Sequence, residues 1–391
     1  MTGTMNYVNR NNKLKITDSL FIIFCLFPFV IPNPIVTTNI QPYAALFGTV
    51  VIVRELIIKN KLYIKGKAYF FGVSWLTLLV SLLVLFINDI TVNSFRAFFN
   101  YYSVAIVPLA LYLVLYRVGA FPEKFIKSLI VIWFIVSSIQ FFVDRGFLTS
   151  IIGGVRYSYS YRGVVGLASE PSFLGIACFY FLHMIMRFKK NQMVFFAITL
   201  IMGIVYAQSM MGVLFIGSFV LLYLLDMTNT RKGFYIWMGA VISIVIFIIL
   251  LNTVLIETRL YQLFSLFIRE GIEGVLNDAS AGARYDSLTD AISDSFSNYL
   301  LPLGYVKRIG SGYGGFLCEL GLFALPILWC ISLIMSRTFK KRATQILYFI
   351  VVTILLFNNT QIGNPLLLFV ISTNLYFSSR QETKGVVCDC K

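Results

Sequence analysis

The chain has 391 residues, 58% of them hydrophobic and only 13% charged, with a mean hydropathy of +0.83. A soluble protein of this length needs far more polar surface, and apolar runs near the ~20 residues that cross a bilayer recur along almost the whole chain. These numbers exclude a soluble class and predict an all-α polytopic membrane protein, because hydrocarbon leaves backbone groups no partner outside a helix or a closed barrel.

Taken in chain order, hydropathy predicts twelve transmembrane helices in a single membrane domain spanning 1–391. They fall at 18–38, 40–58, 68–88, 98–117, 125–143, 170–187, 193–208, 210–226, 234–255, 314–336, 344–358 and 364–378. The first run follows Arg10, Lys13 and Lys15 in the manner of a signal peptide, but no small-residue cleavage site closes it, so it reads as a retained span. The seventh and eighth are divided only by Gln208 and Ser209.

Basic residues test the count. With both termini cytoplasmic, the inner segments carry 23 of the 32 basic residues and the outer ones nine, as the positive-inside rule requires. A miscounted helix would invert that pattern downstream of the error. The net charge of +15 therefore reports topology, and no nucleic-acid partner follows from it. The inner set is 15 Lys and 8 Arg, whereas the outer set is 8 Arg and one Lys. Topogenic charge is served by either residue, but arginine is preferred where phosphate or carboxylate is gripped in a bidentate geometry. Pairing with acids such as Asp144, Glu257 and Glu270 is the plainer reading of any single outer arginine and a weaker one of the whole set.

Two outward loops have room for a site. The smaller, 144–170, alternates arginine and tyrosine at Arg156, Tyr157, Tyr159, Tyr161 and Arg162, a pattern suited to stacking on sugar rings and equally to an interfacial aromatic belt. It ends on Glu170, locked to Pro171 at the mouth of the sixth span. A carboxylate there suits helix capping and the helix dipole, and burial beside lipid would also raise its pKa toward the range of a general base.

The larger loop, 256–313, predicts two amphipathic helices. The first carries Leu260, Leu263, Phe264, Phe267 and Ile268 at helical spacing. The second has Tyr285, Leu288, Ile292, Phe296 and Tyr299 on one face and Asp286, Asp290 and Asp294 on another, with Arg284 at its head. The glycine-rich stretch 301–315 then allows close backbone approach to a ligand, or serves as a linker.

Nucleotide and metal chemistry find no footing. There is no Walker motif, dinucleotide fingerprint or zinc-ligand cluster, and no pair of the six cysteines has metal or redox spacing; the Cys388-Asp389-Cys390 tail reads as an uninvolved terminus, with soft-metal binding as the lesser alternative. The one histidine, His183, lies thirteen residues beyond Glu170, near the inner end of its span, and reads as a packing residue. No cofactor is implied. An outward site without nucleotide needs a substrate that arrives already activated, such as a lipid-linked pyrophosphate sugar.

Three local features, in order, resemble the O-antigen polymerase (Wzy) family of bacterial envelope proteins and, more distantly, the O-antigen ligases. Ala168-Ser169-Glu170-Pro171-Ser172 is similar to the family's Ser-Glu-Pro-Ser element opening a middle helix. Arg284 resembles its loop arginine, and Gly304 through Gly315 to Glu319-Leu320-Gly321-Leu322 resembles the glycine-rich turn and glutamate-glycine helix start that follow. The resemblance implies a GT-C-like fold in the bacterial inner membrane. It implies a glycosyltransferase joining undecaprenyl-pyrophosphate-linked oligosaccharides at the periplasmic face, with a chain-length regulator and a flippase as pathway partners. Ligases of this kind carry an outer-loop histidine that is absent here.

On that reading Arg284 leads the pyrophosphate clamp, backed by Arg156, Arg162 and Arg308, with Tyr157 and Tyr161 against the sugars. Glu170 is the candidate base, with Asp286 and Glu319 behind it. The rival class is a lipid-linked oligosaccharide flippase, which needs a polar path through the membrane centre. Mid-span polar residues are few (Gln140, His183, Gln208 and Asn252), and a non-catalytic scaffold leaves the outer arginines unexplained.

Overall fold

The computed structural model describes residues 14–30, 40, 42–59, 68–87, 90–152, 155, 163–227, 259–305, 312–356 and 361–388. They form helices α1 (Ile16–Leu26), α2 (Tyr43–Lys59), α3 (Ala68–Ile87), α4 (Val92–Val118), α5 (Glu123–Phe142), α6 (Pro171–Ile185), α7 (Gln192–Leu200) and α8 (Met210–Met227). After the undescribed span predicted at 234–255 come α9 (Arg259–Leu276), α10 (Ala279–Ser297), α11 (Gly312–Leu320), α12 (Ala324–Ser336), α13 (Arg342–Leu356) and α14 (Pro365–Cys388). No strand occurs among the described residues; one isolated bridge joins Val30 to Ile152.

Among the described residues, five helical stretches are long and apolar enough to cross a bilayer: Tyr69–Ile87, Ser94–Val118, Glu123–Phe142, Met210–Met227 and Gly315–Ser336. Ile16–Leu26, Pro171–Ile185, Gln192–Tyr206 and Arg342–Leu355 are shorter apolar helices. Several show apolar side chains on their outer surface at helical spacing: Trp75, Leu79, Leu83 and Phe86 on α3, Val50, Val53 and Ile57 on α2, and Ile346, Ile350 and Ile354 on α13. Water would not tolerate such stripes over so much surface, whereas lipid does.

At the centre stands α4, buried along most of its length and packed against α2, α3 and α14. It starts six residues before the predicted boundary because the Thr91 hydroxyl accepts the Ser94 N–H at 3.1 Å as an N-cap, and it stops at Gly119, where φ of 71° ends the helix. The predicted 314–336 span is one apolar stretch with a break. Gly321 takes φ of 59°, and a 3-10 turn over Gly321–Phe323 separates α11 from α12. The glutamate-glycine pair thus ends a helix and does not start one.

The break expected at Gln208 is present, with φ of 46° at that residue. Just before it, Ile201–Tyr206 widens into a π-turn, a feature that recurs at functional sites. Across it, α6 and α8 meet backbone to backbone: a Cβ at Gly175 would lie 2.5 Å from the Gly212 Cα. Small residues allow such an approach where lipid gives helices no hydrophobic reason to associate. Gly175→Ala is expected to cost about 1–3 kcal/mol, the usual penalty of overpacking, read as a lower unfolding temperature of the detergent-purified protein.

Side-chain bonds gather the predicted inner segments at one end. Arg54 and Arg117 meet Asp18 and Glu55; Glu123 accepts the Lys189 and Lys190 N–H groups at 3.1 and 3.2 Å; and the Arg380 guanidinium bonds the Gly119 carbonyl. At the other end the predicted outer loop 144–170 meets two predicted spans, through the Val30–Ile152 bridge and the Val164 N–H bond to the Tyr206 carbonyl at 2.8 Å.

Candidate functional site

Glu170 is the N-cap residue of α6, with extended backbone (φ −146°, ψ 155°) and Pro171 in the first helical position. Its carbonyl accepts the Phe173 and Leu174 N–H groups at 3.1 Å each. Its carboxylate takes no helix N–H; Oε2 accepts the Ser172 hydroxyl at 3.3 Å. Glu170 thus stands at the N-cap position weighed from sequence, but its side chain makes no capping bond. The carboxylate is half-buried at the helix mouth, where the positive end of the dipole favours its charge.

The segment leading into Glu170 is held tightly. Gly163 through Ser169 are all buried, so this half of the 144–170 loop sinks into the protein. Gly163 leaves no room for a side chain, since a Cβ there would sit 2.1 Å from the Ala207 carbonyl oxygen. At Gly166, φ is 60°, and the Gln140 side-chain amide clamps both backbone groups: Gly166 N–H donates to Gln140 Oε1 at 2.7 Å, and Gln140 Nε2 donates to the Gly166 carbonyl at 2.9 Å. Gln140 Nε2 also reaches the Phe147 carbonyl at 2.9 Å. Gln140 is thus no mid-span polar residue but the positioning residue of this segment, and its lone amide near the end of a hydrophobic run was the available signal.

Glu319 occupies a different environment. Near the end of α11 it is buried, and its Oε2 accepts the Tyr101 hydroxyl of α4 at 2.5 Å. Beside them the Tyr305 hydroxyl meets the Ser81 hydroxyl at 2.6 Å and donates to the Ser81 carbonyl at 3.0 Å. Phe316 closes the group, its ring centroid 6.1 Å from that of Tyr101. Burial and the Glu319 charge push the Tyr305 phenol above its ordinary value, against the Ser81 bond that pulls it down. The strap 301–305 is tied back onto α11 by the Leu303 N–H bond to the Cys318 carbonyl at 2.8 Å. Sequence reading missed Tyr101, Tyr305 and Ser81, which lie 218 and 224 positions from their partners.

In the large loop, α10 starts at Ala279, where the Asp278 carboxylate accepts the Ala281 N–H at 3.1 Å. Arg284 is consequently the sixth residue of α10 and not its head; its side chain lies outside what the structure describes. The face packed inward is Ala291 and Ser295 against Cys318. The predicted aromatic face points away: Tyr285, Phe296 and Tyr299 are exposed, because small residues let α10 approach α11 more closely than rings would. Asp286 is exposed on α10 and Asp290 beside it, one turn on. Beyond the ends of both helices the Leu322 N–H donates to the Leu300 carbonyl at 2.9 Å.

In α9 the expected apolar spacing is realised, with Leu263 buried and Phe264, Phe267 and Ile268 exposed; Gly271, at φ 68°, kinks the helix. Arg156, Tyr157, Tyr159, Tyr161, Arg162 and Arg308, together with Asn252, lie outside the described residues. Among those described, no cluster of three His, Cys, Asp or Glu side chains has metal-binding geometry. His183 is buried, with Nδ1 2.8 Å from the Thr338 hydroxyl and Nε2 2.6 Å from the Tyr348 hydroxyl, a fully occupied packing residue. No protein-family model, curated protein or solved structure matches the chain.

Proposed function

We propose that the chain is a membrane-integral glycosyltransferase of the O-antigen polymerase type, with about twelve spans and a GT-C-like fold in the bacterial inner membrane. It joins undecaprenyl-pyrophosphate-linked oligosaccharide units at the periplasmic face. The observation that carries the reading is the mounting of Glu170: an ionisable group at the mouth of an apolar helix, held on a buried segment that Gln140 clamps at both backbone groups of Gly166. Such rigidity suits a general base, which must sit within hydrogen-bond reach of the attacking sugar hydroxyl.

Arginines supply the other half. Arg284, with Arg156, Arg162 and Arg308, holds the pyrophosphates and stabilises the leaving group's charge as the glycosidic bond forms. The proton of the acceptor hydroxyl goes to Glu170, and the lipid pyrophosphate departs. The exposed Asp286 and the buried Glu319, fixed by Tyr101, stand behind Glu170 as further acids, with Tyr157 and Tyr161 against the sugars. The exposed apolar residues of α9 and α10 suit helices lying on the membrane surface above the site.

The test is reconstitution of the purified protein in lipid with lipid-linked repeat units. Polymer is expected from the wild type, and Arg284→Lys, which keeps charge but loses the bidentate fork, is expected to lower its yield at least tenfold. Movement of units across the membrane without polymer would identify a flippase and end the proposal.

A further inference from the structure

At the basic end of the molecule a cavity of about 740 Å³ opens between the residues following α6 and α12 and the adjoining parts of α13 and α14. Arg187, Arg337 and Lys340 line it, and no lining residue is acidic. The nearby Asp226 carboxylate accepts the backbone N–H groups of Lys340 and Lys341 at 3.2 and 2.8 Å, so it shapes the turn that carries Lys340. Arg187 donates from Nη2 to the Asn374 side-chain carbonyl at 2.8 Å and to the Arg337 carbonyl at 3.4 Å, and its guanidinium lies 5.1 Å from the Phe377 ring centre. Its Nε is buried with no partner among the described residues. Arg337 donates to the Ser378 hydroxyl at 3.4 Å. Among the described residues neither guanidinium pairs with a carboxylate.

Orientation in the membrane does not require this arrangement. Topogenic cations need only lie near a loop and reach water along their own stems. Two guanidinium groups converging on a cavity, one of them partly buried without a counter-charge, are costly until an anion meets them. Guanidinium is also the group that matches phosphate oxygens in geometry. The volume exceeds what one phosphate fills and falls in the range of small-molecule sites, leaving room for an attached group. Leu333 and Ile346 extend the lining to the apolar outer surface, where both are exposed.

We infer that this cavity binds the phosphate group of an anionic ligand, either the headgroup of an anionic phospholipid or a soluble phosphate ester, at the face opposite Glu170. The site is independent of the glycosyl-transfer reading. Its test uses the full chain in detergent, with phosphatidylglycerol, phosphatidylcholine and glycerol 3-phosphate as probes, binding being read by native mass spectrometry and thermal shift. Arg337→Gln is expected to weaken binding of phosphatidylglycerol, or of glycerol 3-phosphate, at least tenfold, while Lys124→Gln, an exposed cation of the same end, leaves it unchanged. Retention of phosphatidylglycerol over phosphatidylcholine identifies the lipid source; saturable binding of glycerol 3-phosphate alone identifies the soluble one. Lys340→Gln repeats the test should Arg337→Gln fail to fold. Equal losses at Lys124 and the cavity residues, or no binding of either phosphate probe, would overturn the inference.

Discussion

Asp18→Ala is expected to destabilise the protein by about 3 kcal/mol, measured as unfolding of the detergent-purified chain. Asp18 is buried at the start of α1, where its carboxylate bonds Arg54 of α2 at 2.9 Å, Arg117 of α4, and the Lys15 N–H at 2.8 Å. Glu55 completes the cluster, 3.0 Å from Arg54 and 3.1 Å from Arg117. Two acids thus balance two arginines, and three helices are tied together. Removing Asp18 strands one positive charge out of water, and loss of one partner from a buried pair is the costly way to break it. The value sits at the lower end of the usual range because Glu55 continues to serve both arginines. Asp18→Asn, which keeps an acceptor oxygen, is expected to cost less. An unchanged unfolding transition in Asp18→Ala would mean that the cluster does not bind the helices together.

Glu170→Gln is expected to lower polymer formation at least ~100-fold while leaving insertion and stability near wild type. Separation of the two effects follows from the cap geometry. The helix start is secured by the Glu170 carbonyl and by Pro171, and the carboxylate makes no bond to a helix N–H, so its neutralisation leaves the helix start in place and weakens a dipole interaction of ~0.3–1 kcal/mol. Glu319→Gln provides the contrast, since the Tyr101 hydroxyl donates to that buried carboxylate and the change is felt in stability as well as activity. Normal polymer from well-inserted Glu170→Gln protein would remove Glu170 as the base and leave it a structural residue.

Much of the local structure was legible. Boundaries of α3, α5, α6, α8 and α13 fall within two residues of those read from hydropathy, since the length of an apolar run and its polar flanks are properties of contiguous residues. The break at Gln208 and the helical character of the 256–313 loop were visible for the same reason. Partnerships were not. Arg54 and Arg117 count equally as inner charges in sequence, and nothing there distinguishes a topogenic arginine from one engaged with Asp18. Which face of α10 meets α11 was not legible, because periodicity picks out the bulky face whereas the close contact at Cys318 uses the small residues Ala291 and Ser295.

The sequence by itself determined that the chain is helical and rich in segments suited to a membrane, and that Glu170 and Pro171 stand where a helix begins. Those outcomes rest on hydrophobicity, backbone restriction and charge, which act over a few residues. Only the tertiary structure decided that Gln140 holds the approach to Glu170, that Glu319 is buried under Tyr101, and that Arg187 and Arg337 converge on one cavity. A hydrogen bond needs two groups within about 3 Å, and distance along the chain carries no record of which ones will meet.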